Sequence, residues 1–212
     1  RFYDSNDHIA TISKLTDDIV RNVSPDVPCT YVPHAVDSNI FKPLEQEDID
    51  KLREQNLSEE DAGKFIVFWN NRNARRKQSG SLLWWWKEWL DSRDLHDKAM
   101  LIMHTDPKDP NGQDLIAIRE KLGLDDDQFK LSTSKLSMQQ LSVLYNAADC
   151  TINISDAEGF GLSTLESLAT ETPIIVNMTG GLQEQVTDGE QWFGFGIQPS
   201  SKAIIGSQEV PW

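Results

Sequence analysis

Two carboxylates, a glycine turn and a short basic cluster are the residues with chemistry to offer. Glu158 and Glu166 bracket Gly159-Phe160-Gly161-Leu162, and Arg72-Asn73-Ala74-Arg75-Arg76-Lys77 is the densest positive run in the chain. A helix starting near Gly161 leaves its first N–H groups free, and with the helix dipole they attract an anion such as phosphate. A carboxylate on either side can accept hydrogen bonds from hydroxyls flanking that phosphate. Hydroxyl, phosphate, hydroxyl describes a sugar nucleotide. A forked guanidinium and a point-charge ammonium can together neutralise a pyrophosphate, which is the chemistry the basic cluster offers.

The elements that must position these residues follow from pattern. Cys150 to Ile154 is short and β-branched, as a buried strand is. The turn Ser155 to Gly161 follows, then a helix placing Leu162, Leu165, Leu168 and Ala169 on one apolar stripe. Pro173 stops that helix, Ile174-Ile175-Val176 begins the next strand, and Gly180-Gly181 turns out of it. This is a β-α-β unit with a glycine turn at the carboxyl end of its first strand, where open α/β sheets bind ligands. An ordinary unit with solvent-facing glutamates has the same spacing, and G-x-G without a third glycine is weak by itself. Phe65 to Trp69 is a second strand, ending in the basic cluster. Strands are also expected at residues 8–13, 29–32, 98–105, 129–132 and 192–197, and helices at 16–22, 47–55, 79–91, 113–122 and 137–148. The helix over 79–91 carries Trp84, Trp85, Trp86 and Trp89. Leu82, Trp86, Trp89 and Leu90 share a core stripe at helical spacing, and at least one tryptophan must reach the surface.

Glu158-Gly159-Phe160-Gly161-Leu162, followed by Glu166 and Gly180-Gly181, resembles the donor-site signature of the family 4 (group 1) retaining glycosyltransferases of GT-B fold. The resemblance implies that Glu158 contacts the donor sugar, that Glu166 binds the ribose, and that the backbone between them holds phosphate. Arg72 and Lys77 match the family's R-x4-K pair, implied to bind the donor phosphates and stabilise the leaving group. Asn71 and Gln78 stand where the family usually has glycine. Pro33-His34-Ala35-Val36-Asp37 with Phe41-Lys42-Pro43 resembles the family's crossover segment, with His34-Ala35 in place of the usual Asn-Gly. The L-x-x-x-Y-x-x-A-D run ending at Asp149 also matches. By position, residues 132–136 form the loop that commonly holds the base.

On this reading residues 1–32 are the end of an amino-terminal acceptor domain and its crossover linker. Residues 33–212 are a Rossmann-like donor-binding domain, a parallel sheet with helices on both faces and one half of a GT-B fold. The chain is expected to be a fragment of a larger enzyme that transfers a sugar, with retention, from a UDP-, GDP- or ADP-linked donor to a hydroxyl acceptor such as a glycan or lipid-linked glycan. By itself it is expected to be inactive or weakly active. Arg72, Lys77 and Glu158 are the catalytic candidates. Gly159, Phe160, Gly161, Leu162, Glu166, Gly180 and Gly181 are the donor-binding ones. No tightly bound cofactor and no metal are expected, since the four histidines are scattered. A sugar-nucleotide-binding module without catalysis, or an epimerase or hydrolase on the same sheet, stays open.

Composition sets the remaining bounds. A net charge of -14 over 212 residues argues against a nucleic-acid-binding or anionic-membrane surface. No apolar run is long enough to span a membrane. The two cysteines, Cys29 and Cys150, are far apart and fit buried thiols in a reducing, cytoplasmic compartment. Four N-x-S/T sequons occur, of which Asn153 and Asn177 fall in or beside expected buried strands. No G-x-x-x-x-G-K-S/T is present, which sets P-loop chemistry aside.

Overall fold

A computed structural model describes residues 2–200. Arg1 and the weakly patterned end of the sequence from residue 201 lie outside the described residues. Two separate parallel sheets are present. The first pairs β1 (Ile9–Thr11) with β2 (Cys29–Tyr31), joined by α1 (Lys14–Val23), whose first turn is capped by the Ser13 hydroxyl accepting from Thr16 N–H. The surface helix α2 (Gln46–Asn56) follows, then a single turn α3 (Glu59–Ala62) that the polar sequence does not announce.

The second sheet holds six parallel strands: β3 (Phe65–Asn70), β4 (Ala99–His104), β5 (Phe129–Ser132), β6 (Cys150–Asn153), β7 (Ile174–Asn177) and β8 (Phe195–Ile197). Their spatial order is β5-β4-β3-β6-β7-β8. The connecting helices are α4 (Ser79–Arg93), α5 (Leu115–Leu122), α6 (Met138–Ala147), α7 (Leu162–Ala169) and α8 (Gln183–Val186). This is the Rossmann order, in which the chain runs outward from β3 in one direction and from β6 in the other.

Burial on both faces explains the continuous apolar character of the central strands. In β3, Val67 and Trp69 pack with Leu82, Leu83, Trp86 and Leu90 of α4, whereas Ile66 and Phe68 pack with Phe41, Tyr145 and Ala148 on the opposite face. The tryptophan helix differs from its sequence reading. Leu83 joins the core stripe, while Trp89, along with Trp84 and Trp85, is exposed. Trp85, Trp86 and Trp89 instead wall a groove of about 1040 Å³ over the sheet face of Ile152, Ile154, Ile175 and Ile197. The last strand is shorter than expected, because Trp192 makes only an isolated antiparallel bridge with Thr187. Among the described residues, no helix is long and apolar enough to cross a membrane.

α7 is seated differently from the leucine stripe drawn from its sequence. Leu168 and Ala169 of that stripe pack against the apolar clusters, but Leu162 is 45% exposed, and the fully buried side chains of the helix are Thr164 and Ser167. The Ser167 hydroxyl pairs with Thr151 Oγ1 at 2.7 Å and donates to the Thr172 carbonyl at 3.0 Å. Asn153 Nδ2 reaches Thr164 Oγ1 at 3.4 Å. The β6 partners Thr151 and Asn153 are polar too, so small hydroxyl residues let the helix lie close to the strand with its polar atoms paired.

Candidate functional site

β3 and β6 are neighbours whose chains depart in opposite directions, so the loops after them open side by side at the carboxyl edge of the sheet. The loop after β3 runs from Asn71 to Gln78. It is anchored by Asn73, fully buried, whose Nδ2 donates to the Gln113 carbonyl at 2.7 Å and whose Oδ1 accepts from Ser79 Oγ at 2.7 Å. The loop after β6 runs from Ile154 to Gly161. Asp156 N–H donates to the Arg76 carbonyl at 2.8 Å, stitching the two loops together.

Lys77 and Glu158 meet where these loops touch. The Lys77 ammonium donates to Glu158 Oε2 and, at 2.6 Å, to Asn71 Oδ1. Their side chains are only 8% and 11% exposed. Burial pushes the Lys77 amine below its usual range, and the Glu158 carboxylate partly restores it. The second cation on Glu158 is Arg76, whose Nη1 reaches Oε2 at 3.0 Å and the Ala157 carbonyl at 2.6 Å. Asn71 Nδ2 is buried without a hydrogen-bond partner among the described residues. Gln78, at a position where the resemblance calls for glycine, takes a left-handed conformation with φ 56° at the start of α4. That conformation is strained for a side chain other than glycine, asparagine or aspartate.

Arg72 is placed apart from this pair. Its guanidinium makes a two-point ion pair with Asp109, Nε to Oδ2 at 2.6 Å and Nη2 to Oδ1 at 3.2 Å, and its side chain is 65% exposed. The guanidinium, with N–H donation from Asn111, holds the Asp109 carboxyl at about 2. The structure therefore brings Lys77 and Glu158 together with Arg76, a residue the sequence pattern ranks below Arg72.

Gly159, Phe160 and Gly161 complete the turn into α7. Gly161 has φ 95°, a conformation glycine supplies without steric cost. Phe160 is buried, with the His34 ring edge-on at 5.1 Å. The Gln185 side-chain amide donates to the carbonyls of Phe160 and Gly161, the latter at 3.2 Å. Gly180 and Gly181 lie against this turn: Gly181 N–H donates to the Glu158 carbonyl at 2.9 Å. A Cβ on Gly180 would sit 1.9 Å from that carbonyl oxygen, and one on Gly181 2.6 Å from the Gly159 carbonyl oxygen. Their glycine identity is thus a requirement of the Glu158 loop. The helix beyond points its first N–H groups, which have no intrahelical partner, toward the same edge.

Glu166, on α7, faces a polar pair that spacing alone does not reveal. Its Oε2 accepts from Tyr145 Oη at 2.6 Å and from Asn70 Nδ2 at 3.5 Å. Burial raises the Glu166 carboxyl above the usual carboxylate range, and both hydrogen bonds work against that rise. At the far side of the edge, His104 at the end of β4 bonds Ser132 Oγ through Nδ1 at 2.9 Å, beside the loop expected to hold the base. Burial lowers the His104 imidazole.

The small sheet also touches the site. Ile12 Cδ1 lies 3.6 Å from where a Cβ on Gly159 would be. Glu184 at the start of α8 accepts from Lys14 N–H at 2.6 Å and from the Tyr31 hydroxyl at 2.9 Å. Burial and the Glu184 carboxylate together raise the Tyr31 phenol to about 12.

Comparison with known proteins agrees with this architecture. Residues 48–205 match the family model described as "Glycosyl transferases group 1", and the chain belongs to that family. The D-inositol 3-phosphate glycosyltransferase of Corynebacterium urealyticum is 42% identical over 52 residues, 24% of this chain and 12% of the relative. The sucrose-phosphate synthase of Thermosynechococcus elongatus superposes with a TM-score of 0.76 at 23% identity, over 94% of this chain and 47% of that one. The Anabaena Alr3699/HepE protein, solved in complex with UDP and glucose, superposes with a TM-score of 0.69 at 19% identity, over 91% and 50%. The chain spans about half the length of these solved proteins and 12% of that curated relative. The fold is a Rossmann-like half of the GT-B type.

Proposed function

We propose that this group 1 glycosyl transferase chain supplies the donor-binding half of a retaining sugar transferase. Residues 33–212 bind a nucleoside diphosphate sugar, and residues 1–32 belong to the acceptor domain. The separate small sheet, and the coverage of about half of each solved relative, support this division.

The observation that carries the reading is the convergence of the buried Lys77 and the exposed Arg76 on Glu158 beside the start of α7, at the switch point of the sheet. Transfer breaks the bond between the anomeric carbon and the diphosphate oxygen. The electron pair leaves with the diphosphate, and the acceptor hydroxyl oxygen bonds the anomeric carbon on the same face while its proton passes to the departing diphosphate oxygen. Negative charge grows on the departing diphosphate, so fixed positive groups there stabilise the transition state more than the ground state. In this reading Lys77, with the N–H groups of Gly161 and Leu162, meets that charge. Arg72, half out in solvent on Asp109, is within the same loop and swings in as the second cation. Glu158 then exchanges its cation contacts for sugar hydroxyls, with Gly159 and Phe160 shaping the turn, while Glu166 accepts from the ribose. Gly180 and Gly181 act by allowing the Glu158 loop its close backing.

Thermal denaturation with UDP, GDP and ADP tests this reading. At a hundredfold excess over its dissociation constant, a ligand adds about 2.7 kcal/mol to stability. One of the three is expected to raise the melting temperature of the chain, with Arg72→Ala and Glu166→Ala each weakening the response. A folded chain that none of them stabilises refutes the donor-binding reading.

A further inference from the structure

We propose that Tyr145 is a positioning residue for the nucleotide, its hydroxyl fixing one oxygen of Glu166 so that the other is left for the ribose hydroxyls. The assignment rests on the donor-binding reading above.

The geometry that carries it spans three elements. Tyr145 sits on α6 at 1% exposure. Its ring is held edge-on by Phe68 at 5.1 Å and by Phe41 at 6.1 Å, and its carbonyl accepts from Thr172 Oγ1 at 2.9 Å. From that fixed ring the hydroxyl donates to Glu166 Oε2 at 2.6 Å and accepts from Asn70 Nδ2 at 2.9 Å. A side chain buried here for packing alone has no need of its oxygen, whereas this oxygen is engaged on both sides. Among the described residues, both hydrogen bonds to the Glu166 carboxylate fall on Oε2, so the carboxylate is pinned at one oxygen and presents the other. β3, α6 and α7 are regular elements, which hold such a constellation more closely than loops do.

The electrostatics agree. The groups bonded to Glu166 are Tyr145 from α6 and Asn70 from β3, both neutral. Burial raises the carboxyl, and these two bonds lower it toward the ionised form that accepts hydrogen bonds from a ribose. Tyr145 itself is pushed well above the ordinary phenol range by burial and by Glu166, so it remains a donor at any working pH. Removing the hydroxyl must therefore raise the Glu166 carboxyl further.

The test is Tyr145→Phe, which keeps the ring, read in two ways. Carbon-13 NMR follows the Glu166 side-chain carboxyl with pH in the ligand-free chain. Calorimetry measures affinity for UDP, GDP and ADP and for their 2′,3′-dideoxy forms across the same pH range. In Tyr145→Phe, Glu166 is expected to titrate at higher pH. Affinity for the ribose form that binds is expected to fall about tenfold toward the acid end, equivalent to about 1.4 kcal/mol. The dideoxy form is expected to bind as before, and Tyr145→Phe on a Glu166→Gln background should cause no further loss. Asn70→Ala should move the titration in the same direction by less. An unmoved Glu166 titration overturns the proposal, as does an equal loss for ribose and dideoxy forms. If Tyr145→Phe moves the titration while the wild-type chain binds no diphosphate, the donor-binding reading fails and the ribose assignment with it. If the wild-type chain binds and Tyr145→Phe binds identically, only the role of Tyr145 fails.

Discussion

Glu158→Gln and Lys77→Met remove the two halves of one buried ion pair, and the structure predicts that they cost unequal amounts. Lys77 is 8% exposed and has two acceptors, Glu158 Oε2 and Asn71 Oδ1. In Glu158→Gln the ammonium stays buried with only neutral oxygens around it. Breaking a buried pair so that one charge is stranded costs about 3–5 kcal/mol. The low end applies here, about 3 kcal/mol, because the amine is already biased toward its neutral form by burial and can shed its proton. In Lys77→Met the stranded carboxylate retains Arg76, whose side chain is 48% exposed and brings water with it. That residual partner limits the cost to about 1–2 kcal/mol. Urea denaturation of both variants measures the difference directly, since the midpoint shifts at constant slope when only stability changes. For a chain of this size the larger loss corresponds to roughly 6–12 °C in melting temperature. Function should follow the opposite order. Lys77→Met, the milder lesion to the fold, is expected to abolish nucleotide-dependent stabilisation, whereas Glu158→Gln keeps the Lys77 and Arg76 side chains, and a bound diphosphate restores a negative partner for the Lys77 ammonium, so diphosphate binding is retained. A Lys77→Met variant less stable than Glu158→Gln would refute the reasoning, because it would mean that Arg76 contributes nothing to holding Glu158.

Two further outcomes follow from particular contacts. Gly180→Ala places a Cβ 1.9 Å from the Glu158 carbonyl oxygen at a φ of 51°, so the Glu158 loop must move. A loss of about 2–3 kcal/mol is expected, with weakened diphosphate binding, and unchanged binding would detach Gly180 from the site. Glu166→Gln should raise the melting temperature at neutral pH while weakening nucleotide binding. The folded-state carboxyl lies above its unfolded value, so stability from this group is full below the unfolded value and is lost as pH rises through the folded one. The advantage of the glutamine variant should accordingly open as pH rises through the carboxylate range and vanish in acid, which melting curves against pH will show.

The order of strands and helices was legible because β3, β4, β6 and β7 are short apolar runs bounded by turn residues, and their alternation with helices leaves a parallel sheet as the economical packing. Glu158, the glycine turn and Gly180-Gly181 were legible as a local motif, and the fold brings those parts into contact. What the sequence withheld is non-local. Asp109, 37 residues from Arg72, captures that arginine, and no spacing rule announces it. Arg76 replaces it at Glu158 only because a tight turn at Arg75–Lys77 directs adjacent side chains to one carboxylate. Tyr145 falls on the apolar stripe of α6, where helical periodicity cannot separate a packed ring from a ring whose hydroxyl has work to do. The tryptophan run misled for a related reason: period alone does not say where the neighbouring strands end, and α4 overhangs the sheet face.

The hydroxyl underside of α7 governs where that helix points. A leucine underside is held by burial, which is non-directional and allows a helix to rotate or slide slightly at little cost. Hydrogen bonds between Ser167, Thr164 and the β6 side chains weaken steeply off-axis, so the helix is indexed to the strand like a keyed shaft, in both rotation and travel. Glu166 and the first N–H groups, carried on that shaft, inherit its alignment. Buried hydroxyls, none of them charged, thereby set the alignment of the charged Glu166.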